Sequence, residues 1–177
     1  MTSRLPIGQL LIRQGRIDSW QLQSALAHQK RWGGRLGEAI VGMGFVPEQV
    51  VLSEVARQLE VPYLEMADRY VAPAIVRLVP EKLIRSRKIF PVALASQSRR
   101  GPLVVATSEP QNLAALDDVV FATGLAVKAV LASDRDIERA IARHLDVLDP
   151  RGGESAVELP RDAAGPMRVV PFAHDIH

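Results

Sequence analysis

The stretch Pro6–Gln58 repeats itself, and this duplication constrains the fold more than any other feature of the chain. When Pro6–Gln29 is shifted forward by 29 positions, it falls on Arg35–Gln58. Two 24-residue motifs are therefore separated by the five-residue spacer Lys30–Gly34. A solenoid needs roughly three repeats before stacking buries a continuous core, so two copies are too few. The duplication predicts two similar units related by a pseudo-twofold axis.

Each motif reads as a short helix followed by a longer one. Apolar residues recur at helical spacing, and glycines stand where the short helices should end. Asp18 with Gln21 resembles a capping box, and Pro47 suits the first turn of a helix. In the second helix, Leu22, Ala25, Leu26 and Gln29 form the stripe expected to face inward. The predicted elements are helices over Leu5–Gln14 and Leu36–Met43, closed by Gly15 and Gly44, and longer helices beginning at Asp18 and near Pro47.

From Val61 onward the pattern changes to short apolar runs alternating with helical segments. Val61–Leu64 looks extended, and the apolar runs on either side of Ser96–Gly101 are typical of a hairpin. Ser133 followed by Asp136 predicts the start of a last helix. The predicted helices are Pro73–Val79, Glu81–Arg87, Asn112–Thr123 (closed by Gly124) and Asp134–Leu145, and the predicted strands are Ile89–Leu94, Leu103–Thr107 and Leu125–Leu131.

These patterns together predict an α+β protein in three parts. Residues 1–60 form a four-helix unit built from a duplicated helical hairpin, and residues 61–146 form a small α/β subdomain. Residues 147–177 are rich in proline and glycine and have no apolar period, which predicts a flexible tail. Within that tail, Val169–Phe172 is a small apolar island that could dock on a partner or on the domain itself.

The residues that catalysis would need are not grouped in any known pattern, so we expect no enzymatic activity, no cofactor and no metal. The chain has no cysteine, no phosphate-binding loop, no nucleophile elbow and no paired metal-ligand spacing. His28 is interpreted as a surface residue, and His144 as a helix C-terminal histidine favoured by the dipole. His174 and His177 lack supporting ligands, and Asp117 and Asp118 point apart on a helix. The chain also lacks a signal peptide and a membrane-length apolar segment, which indicates a cytoplasmic protein with no direct membrane insertion.

A basic run between residues 77 and 100 leaves three interpretations open. It comprises Arg77, Lys82, Arg85, Arg87, Lys88, Arg99 and Arg100. A solvated basic face is the first interpretation, and an acidic protein partner is the second. A nucleic acid polymer comes last, because no aromatic residues are interleaved for base stacking and the net charge is only +2.

The paired glycines of the repeat allow two interpretations from physics alone. A glycine in a helical first turn lets a ligand approach the backbone closely, and an adjacent arginine or a glutamine amide can hydrogen-bond a base edge. Two such sites would suit a ligand that is itself two-fold. In the alternative, Gly8, Gly15, Gly37 and Gly44 are simply helix stops in a duplicated helical hairpin.

The doubled motif resembles the MshEN domain, the N-terminal domain of type II secretion and type IV pilus assembly ATPases. That family carries two motifs of the form RLGxxLxxxGxxxxxxLxxxLxxQ with a five-residue spacer. The second copy matches at Arg35, Leu36, Gly37, Ile40, Gly44, Val51, Val55 and Gln58, and the first at Ile7, Gly8, Leu11, Gly15, Leu22, Leu26 and Gln29. The resemblance covers residues 4–145, without the nucleotide-hydrolysing domain of the ATPases.

The resemblance implies a cyclic di-GMP-binding regulatory module of a bacterial secretion or motility system, with a protein of that machinery as its partner. Some members of the family bind cyclic di-GMP with one guanine half per motif. Carried over by position, the contacts would come from Ile7, Gly8, Leu11, Gly15, Gln29, Arg35, Leu36, Gly37, Ile40, Gly44 and Gln58.

One position departs from the family pattern. The first motif has Pro6 where the family has arginine, and Arg4 is the only nearby substitute. Losing one arginine–guanine contact is worth about 1–3 kcal/mol. The second hypothesis is therefore a nucleotide-free adaptor that keeps the fold and docks a component of the secretion or pilus machinery.

Overall fold

The computed structural model describes residues 5–66, 69–95 and 101–146 of the 177-residue chain. Within these residues the backbone forms eight α-helices and one three-stranded sheet, so the predicted α+β class is confirmed. The chain divides into two compact units, the first ending at Glu60 and the second beginning at Val61. The predicted tail, including Val169–Phe172, His174 and His177, lies outside the described residues. None of the described helices is both long and apolar enough to cross a bilayer.

The first unit, which we call the helical unit, consists of two short helices that each precede a longer one. The short helices are α1 (Ile7–Arg13) and α3 (Leu36–Gly42), and the long ones are α2 (Ser19–Trp32) and α4 (Glu48–Leu59). The boundaries lie within two residues of those expected. Pro47 takes the N-cap position rather than the first turn, because α4 begins at Glu48.

The core of the helical unit repeats with the motif. Leu11 and Ile40, which are 29 positions apart, are both 0% exposed, and Ile17 and Val46 are both 4% exposed. Because these equivalent positions are buried to the same degree, both motifs contribute to a single core. The stripe predicted on α2 is only partly correct, since Ala25 is fully buried but Leu26 is 44% exposed.

The second unit, which we call the α/β unit, is built around a mixed sheet in the order β1-β2-β3. Strands β1 and β2 pair antiparallel, as the hairpin prediction required, and β3 runs parallel to β2 after a helical crossover. The strands are β1 (Ile89–Leu94), β2 (Leu103–Thr107) and β3 (Val127–Leu131). The helices are α5 (Pro73–Val76), α6 (Glu81–Arg87), the crossover helix α7 (Leu113–Thr123) and α8 (Asp134–Ile141).

Strand β2 is the centre of this unit. All five of its residues are buried, which suits a central strand covered on both faces. Pro91 lies on β1, at the edge of the sheet, and a register irregularity separates it from Ala93. An edge strand tolerates proline because its outward side needs no ladder hydrogen bond. Phe90, Leu103, Val105 and Leu131 are among the side chains that form the fully buried core.

Four predicted elements are shorter than expected, and local hydrogen bonds account for two of them. Helix α5 stops at Val76, after which the N–H groups of Leu78 and Val79 bond three residues back instead of four. Strand β3 starts at Val127, because the N–H of Leu125 donates to the Thr123 hydroxyl in the turn after α7.

The other two cases lie beside β3 and at the end of the last helix. The predicted strand Val61–Leu64 is reduced to one bridge between Tyr63 and Leu131. Helix α8 ends at Ile141 and continues as a π-helical turn, Ala142–Asp146.

Candidate functional site

The first turns of α1 and α3 have the same backbone path. Pro6 and Arg35, at the two N-caps, are both extended, with ψ angles of 144° and 146°. The Pro6 carbonyl accepts the Leu10 N–H at 3.0 Å, and the Arg35 carbonyl accepts the Ala39 N–H at 3.1 Å. The proline has therefore changed the side chain of the first motif without changing how its helix begins.

Gly8 and Gly37 are required for close packing within each motif. A Cβ added at Gly8 would lie 2.4 Å from Leu22 Cδ1, and one at Gly37 would lie 2.9 Å from Val51 Cγ1. Leu22 and Val51 are equivalent positions of the two long helices. In both motifs the missing side chain thus lets the short helix pack directly on the long one. Because Gly8 and Gly37 lie inside the first turns of α1 and α3, the interpretation of these two glycines as helix stops is wrong.

Gly15 and Gly44 end the short helices in the same way. Their φ angles are +67° and +72°, the left-handed region that favours glycine. In the first motif the N–H of Gly15 bonds to Ile12 O, and that of Arg16 to Leu11 O. The second motif repeats this pattern of two hydrogen bonds at Gly44 and Phe45. Both ends are Schellman motifs, so these two glycines set the chain direction between paired helices.

The two motif glutamines form a reciprocal clasp. Gln29 Nε2 donates to the carbonyl oxygen of Gly34 at 3.0 Å, and Gln58 Nε2 donates to that of Leu5 at 2.5 Å. Gly34 and Leu5 each precede the first residue of a motif, so each glutamine binds the chain just before the start of the opposite motif. A pseudo-twofold axis produces such a reciprocal pair of hydrogen bonds. As a result, the last residue of each motif lies next to the start of the other motif. We refer to these two hydrogen bonds as the glutamine clasp.

The remaining predicted contacts differ in accessibility. Ile7 and Leu36, the first residues of the short helices, are half-buried, whereas Leu11 and Ile40 are fully buried. The latter pair can support a binding surface from beneath but do not form it. Leu26 was expected inside and is instead 44% exposed, one helical turn before Gln29. Its equivalent in the second motif, Val55, packs against the core, so the repeat gave no signal that Leu26 is exposed.

Arg35 is exposed and has an acidic neighbour. Its backbone N–H donates to Glu38 Oε2 at 3.1 Å, and its Nη1 lies 4.0 Å from Glu38 Oε1. Both side chains are about half exposed, so this ion pair is weak and leaves the guanidinium accessible to a ligand. At the equivalent positions the first motif has Pro6, which has no N–H, and Gln9, which has no charge. Arg4, the alternative arginine of the first motif, lies outside the described residues.

Ion pairs engage three of the five residues of the basic run that the structure describes. Arg85 bonds to Glu81 at 2.8 Å and to Asp146 at 2.6 Å, and these hydrogen bonds raise its pKa above the usual arginine value. The hydrogen bond to Glu138 likewise raises the pKa of Lys88. Arg87 binds Asp118 at 2.6 Å. The free basic face of the first interpretation is therefore reduced, while Arg99 and Arg100 lie outside the described residues.

The two described histidines have different environments. His28 is exposed, as expected, and its ring lies 6.5 Å from that of Trp32. His144 belongs to the π-helical turn and is only 7% exposed. Its Nε2 accepts the Val71 N–H at 3.1 Å and its Nδ1 donates to Ala140 O at 3.0 Å, which fixes the tautomer. His144 therefore lies at the helix C-terminus, as expected, and in addition is a buried link between that last turn and Val71.

Comparisons with known proteins agree with this architecture. The MshEN domain model matches residues 59–151, which is the α/β unit rather than the doubled motif. The type IV pilus assembly ATPase PilB of Myxococcus xanthus is 36% identical over 145 residues, or 81% of this chain. The alignment covers 24% of that protein, so the chain spans about a quarter of the length of this curated relative.

Solved structures of similar proteins cover both units. A structure of MshE with cdg has 27% sequence identity and a TM-score of 0.64, and the match covers 80% of this chain and 99% of that one. The N-terminal domain of XpsE shares the fold at 22% identity with a TM-score of 0.55, covering 77% of this chain and 92% of that one. The family-model match extends over more than half of the chain and agrees with the repeat, the mixed sheet and these relatives. The chain belongs to the MshEN domain family.

Proposed function

We propose that the helical unit binds cyclic di-GMP and passes the ligand state to a bacterial secretion or motility machine. The observation that carries this proposal is the reciprocal glutamine clasp, because it gives the two motifs equivalent surfaces. A ligand with two chemically identical halves matches such a pair, one half for each motif. The structure of MshE with cdg, which aligns over 80% of this chain, supports cyclic di-GMP as that ligand.

The residues of each motif have separate roles in this proposal. Gly8 and Gly37 hold the short helices close to the long ones, and Gly15 and Gly44 fix their ends. Ile7 and Leu36 contact the ligand, whereas Leu11 and Ile40 support them from the core. Arg35 supplies the cationic donor, which suits the acceptor edge of guanine.

The clasp also suggests how binding is signalled. Gln29 and Gln58 hold backbone carbonyls that precede the opposite motif, so a ligand that hydrogen-bonds either amide competes with the clasp. Leu26 and Leu5 expose apolar surface beside these amides, at 44% and 40%. A ligand that covers this apolar surface and takes the hydrogen bonds of the two glutamine amides would break the clasp. The two helical pairs would then shift relative to each other within the helical unit. This shift is the output that a protein of the secretion or pilus machinery would detect.

Calorimetric titration of cyclic di-GMP into the purified protein tests the proposal, with Arg35→Ala measured in parallel. We expect saturable one-to-one binding that is lost or greatly weakened in the variant. Arg77→Ala is the matched control, because Arg77 is also an exposed arginine but lies in the α/β unit. No heat at ligand concentrations near ~1 mM, with a native circular dichroism spectrum, would exclude the receptor function.

A second candidate function is a nucleotide-free adaptor with the same fold. Pro6 favours it, because the first motif lacks the arginine of the family pattern. Two exposed tryptophans of the helical unit, Trp20 at 69% and Trp32 at 70%, also favour protein docking, since such side chains are enriched in interfaces. In this case the chain would bind a component of the secretion or pilus machinery without a ligand. Titration of cyclic di-GMP into the wild type and its variants would then give no binding heat.

A further inference from the structure

Helix α7 has apolar residues on the side that faces away from the sheet. Ala115 and Val119 are buried beneath it, whereas Leu113, Val120 and Phe121 are 68%, 40% and 94% exposed. The three exposed residues recur at helical spacing, so they share one face. We call this surface the α7 outer face. Clustered exposed apolar residues on a helix mark a surface that another segment covers.

One charge lies on the α7 outer face. Asp117 is exposed and stands one turn after Leu113 and one turn before Phe121. The neighbouring Asp118 is directed elsewhere, since it bonds to Arg87 of α6 at 2.6 Å. A segment that covers the face must therefore offer apolar side chains and one basic group to meet Asp117.

The described chain ends on α6, the helix that is ion-paired to α7. Asp146, the last described residue, bonds to Arg85 of α6 at 2.6 Å. Two residues later on the same helix, Arg87 bonds to Asp118 of α7. Helix α6 thus links the start of residues 147–177 to α7 by two short ion pairs, all within the α/β unit.

The sequence after Asp146 contains a segment with the required chemistry. Met167–Phe172 reads Met-Arg-Val-Val-Pro-Phe, with five apolar side chains and a single charge, Arg168. The 20 residues 147–166 precede it and reach up to about 65 Å when extended, far more than the distance from α6 to α7 requires. Charge and length both fit the α7 outer face.

We propose that Met167–Phe172 docks on the α7 outer face of its own chain, with Arg168 paired to Asp117 and the apolar side chains covering Leu113, Val120 and Phe121. Docking removes the exposed phenylalanine of α7 from water.

The absence of cysteine from the sequence makes the test direct. A spin label on the single cysteine of Ala173→Cys should broaden the amide resonances of α7, with Phe121 and its neighbours affected most. Phe121→Ser should abolish the broadening, and the remaining amide spectrum should stay native because this side chain is almost fully exposed. Trp32→Ser, at an exposed tryptophan of the helical unit, is the matched control and should leave the broadening unchanged.

Charge reversal tests the pairing itself. Asp117→Lys should weaken the broadening, and combining it with Arg168→Glu should restore it. Broadening that is absent in the labelled chain, or that survives Phe121→Ser, would overturn the proposal. So would broadening found only when a labelled chain is mixed with an isotope-enriched unlabelled one, because the occupant would then be a second copy.

Discussion

The two motifs of the helical unit share a backbone but differ in their polar groups. The core pairs Leu11–Ile40 and Ile17–Val46 are buried alike, both short helices end in a Schellman motif, and both glutamines join the same clasp. The differences include Pro6 against Arg35, Gln9 against Glu38, and Asp18 against Pro47. The comparison teaches that glycines and core residues hold the fold, while the groups able to recognise a ligand can change independently.

The N-caps of the long helices illustrate this independence. Asp18 accepts the Gln21 N–H at 2.7 Å and completes a capping box, whereas Pro47 makes no side-chain cap. Yet α2 and α4 begin at equivalent positions, Ser19 and Glu48. Burial of the apolar stripe therefore sets where each helix starts, and the cap adds stability of about 1 kcal/mol where it is present.

The largest expected effect comes from giving the first motif the arginine of the second. Pro6→Arg should strengthen cyclic di-GMP binding by about tenfold to a hundredfold, the value of one bidentate arginine–guanine contact. Pro6 and Arg35 have similar backbone angles, so the new residue enters without strain. Calorimetric titration measures the change, and the adaptor hypothesis expects none.

Gln9→Arg provides the control for that substitution. It adds the same charge to an exposed residue of α1, three positions further on. If the affinity for cyclic di-GMP rises because of a specific contact, it rises only in Pro6→Arg. If it rises because of net charge alone, it rises in Pro6→Arg and in Gln9→Arg. Equal gains would contradict a specific contact with guanine.

Substituting alanine for Gly8 and for Gly37 should show which of the two motifs is packed more tightly. Gly8→Ala should lower the free energy of unfolding by about 1–2 kcal/mol, because the new Cβ lies 2.4 Å from Leu22 Cδ1. Gly37→Ala should lower it less, since the overlap with Val51 is smaller. The gain of up to ~1 kcal/mol in helix propensity applies to both variants and does not separate them. Urea denaturation of both variants gives the comparison.

Gly42→Ala is the reference for these variants. Gly42 is the last residue of α3, and an added Cβ would meet no atom within 4 Å. Helix propensity should then dominate, and the variant should be as stable as the wild type or more so. Similar losses at Gly8, Gly37 and Gly42 would show that close packing is not the cause.

The sequence predicted the architecture well because the relevant signals are local. The repeat placed all four helices of the helical unit, and Gly15 and Gly44 marked helix ends that the structure confirms. In the α/β unit, the antiparallel hairpin followed from two apolar runs and a polar loop. Such features depend on short-range patterns that a single chain displays directly.

What the sequence missed depends on tertiary contacts. The exchange of partners in the glutamine clasp joins residues 53 positions apart, and no periodicity reveals it. His144 became a buried link only because Val71, 73 positions away, presents its N–H there. The exposure of Leu26 and the ion pairing of the basic run likewise depend on which elements pack together. The eleven proposed ligand contacts rest on the family resemblance, and only binding experiments can test them.

The helix-ending glycines should behave as an equal pair. Gly15→Ala and Gly44→Ala place a Cβ at φ angles of +67° and +72°, which costs an ordinary residue about 1–2 kcal/mol. Neither Cβ would meet another atom within 4 Å, so the backbone conformation is the only cause. Thermal denaturation should give the same loss for both variants. A clear difference would mean that the two Schellman motifs are not equivalent in solution.

The smallest effects on stability are expected at the glutamine clasp, where equivalent residues of the two motifs can be compared directly. Gln58→Ala and Gln29→Ala should each lower the free energy of unfolding by about 0.5–1.5 kcal/mol, the net value of one hydrogen bond. Gln58 should matter more, because it closes a 53-residue separation whereas Gln29 acts across five. Amide hydrogen exchange checks where the loss falls: Gln58→Ala should expose the first turn of α1, and Gln29→Ala the turn at Gly33 and Gly34. If the two hydrogen bonds act independently, the double variant should lower the free energy of unfolding by about the sum of the two single losses. A loss clearly different from the sum would show that the clasp acts as one unit, as the proposed signalling mechanism requires.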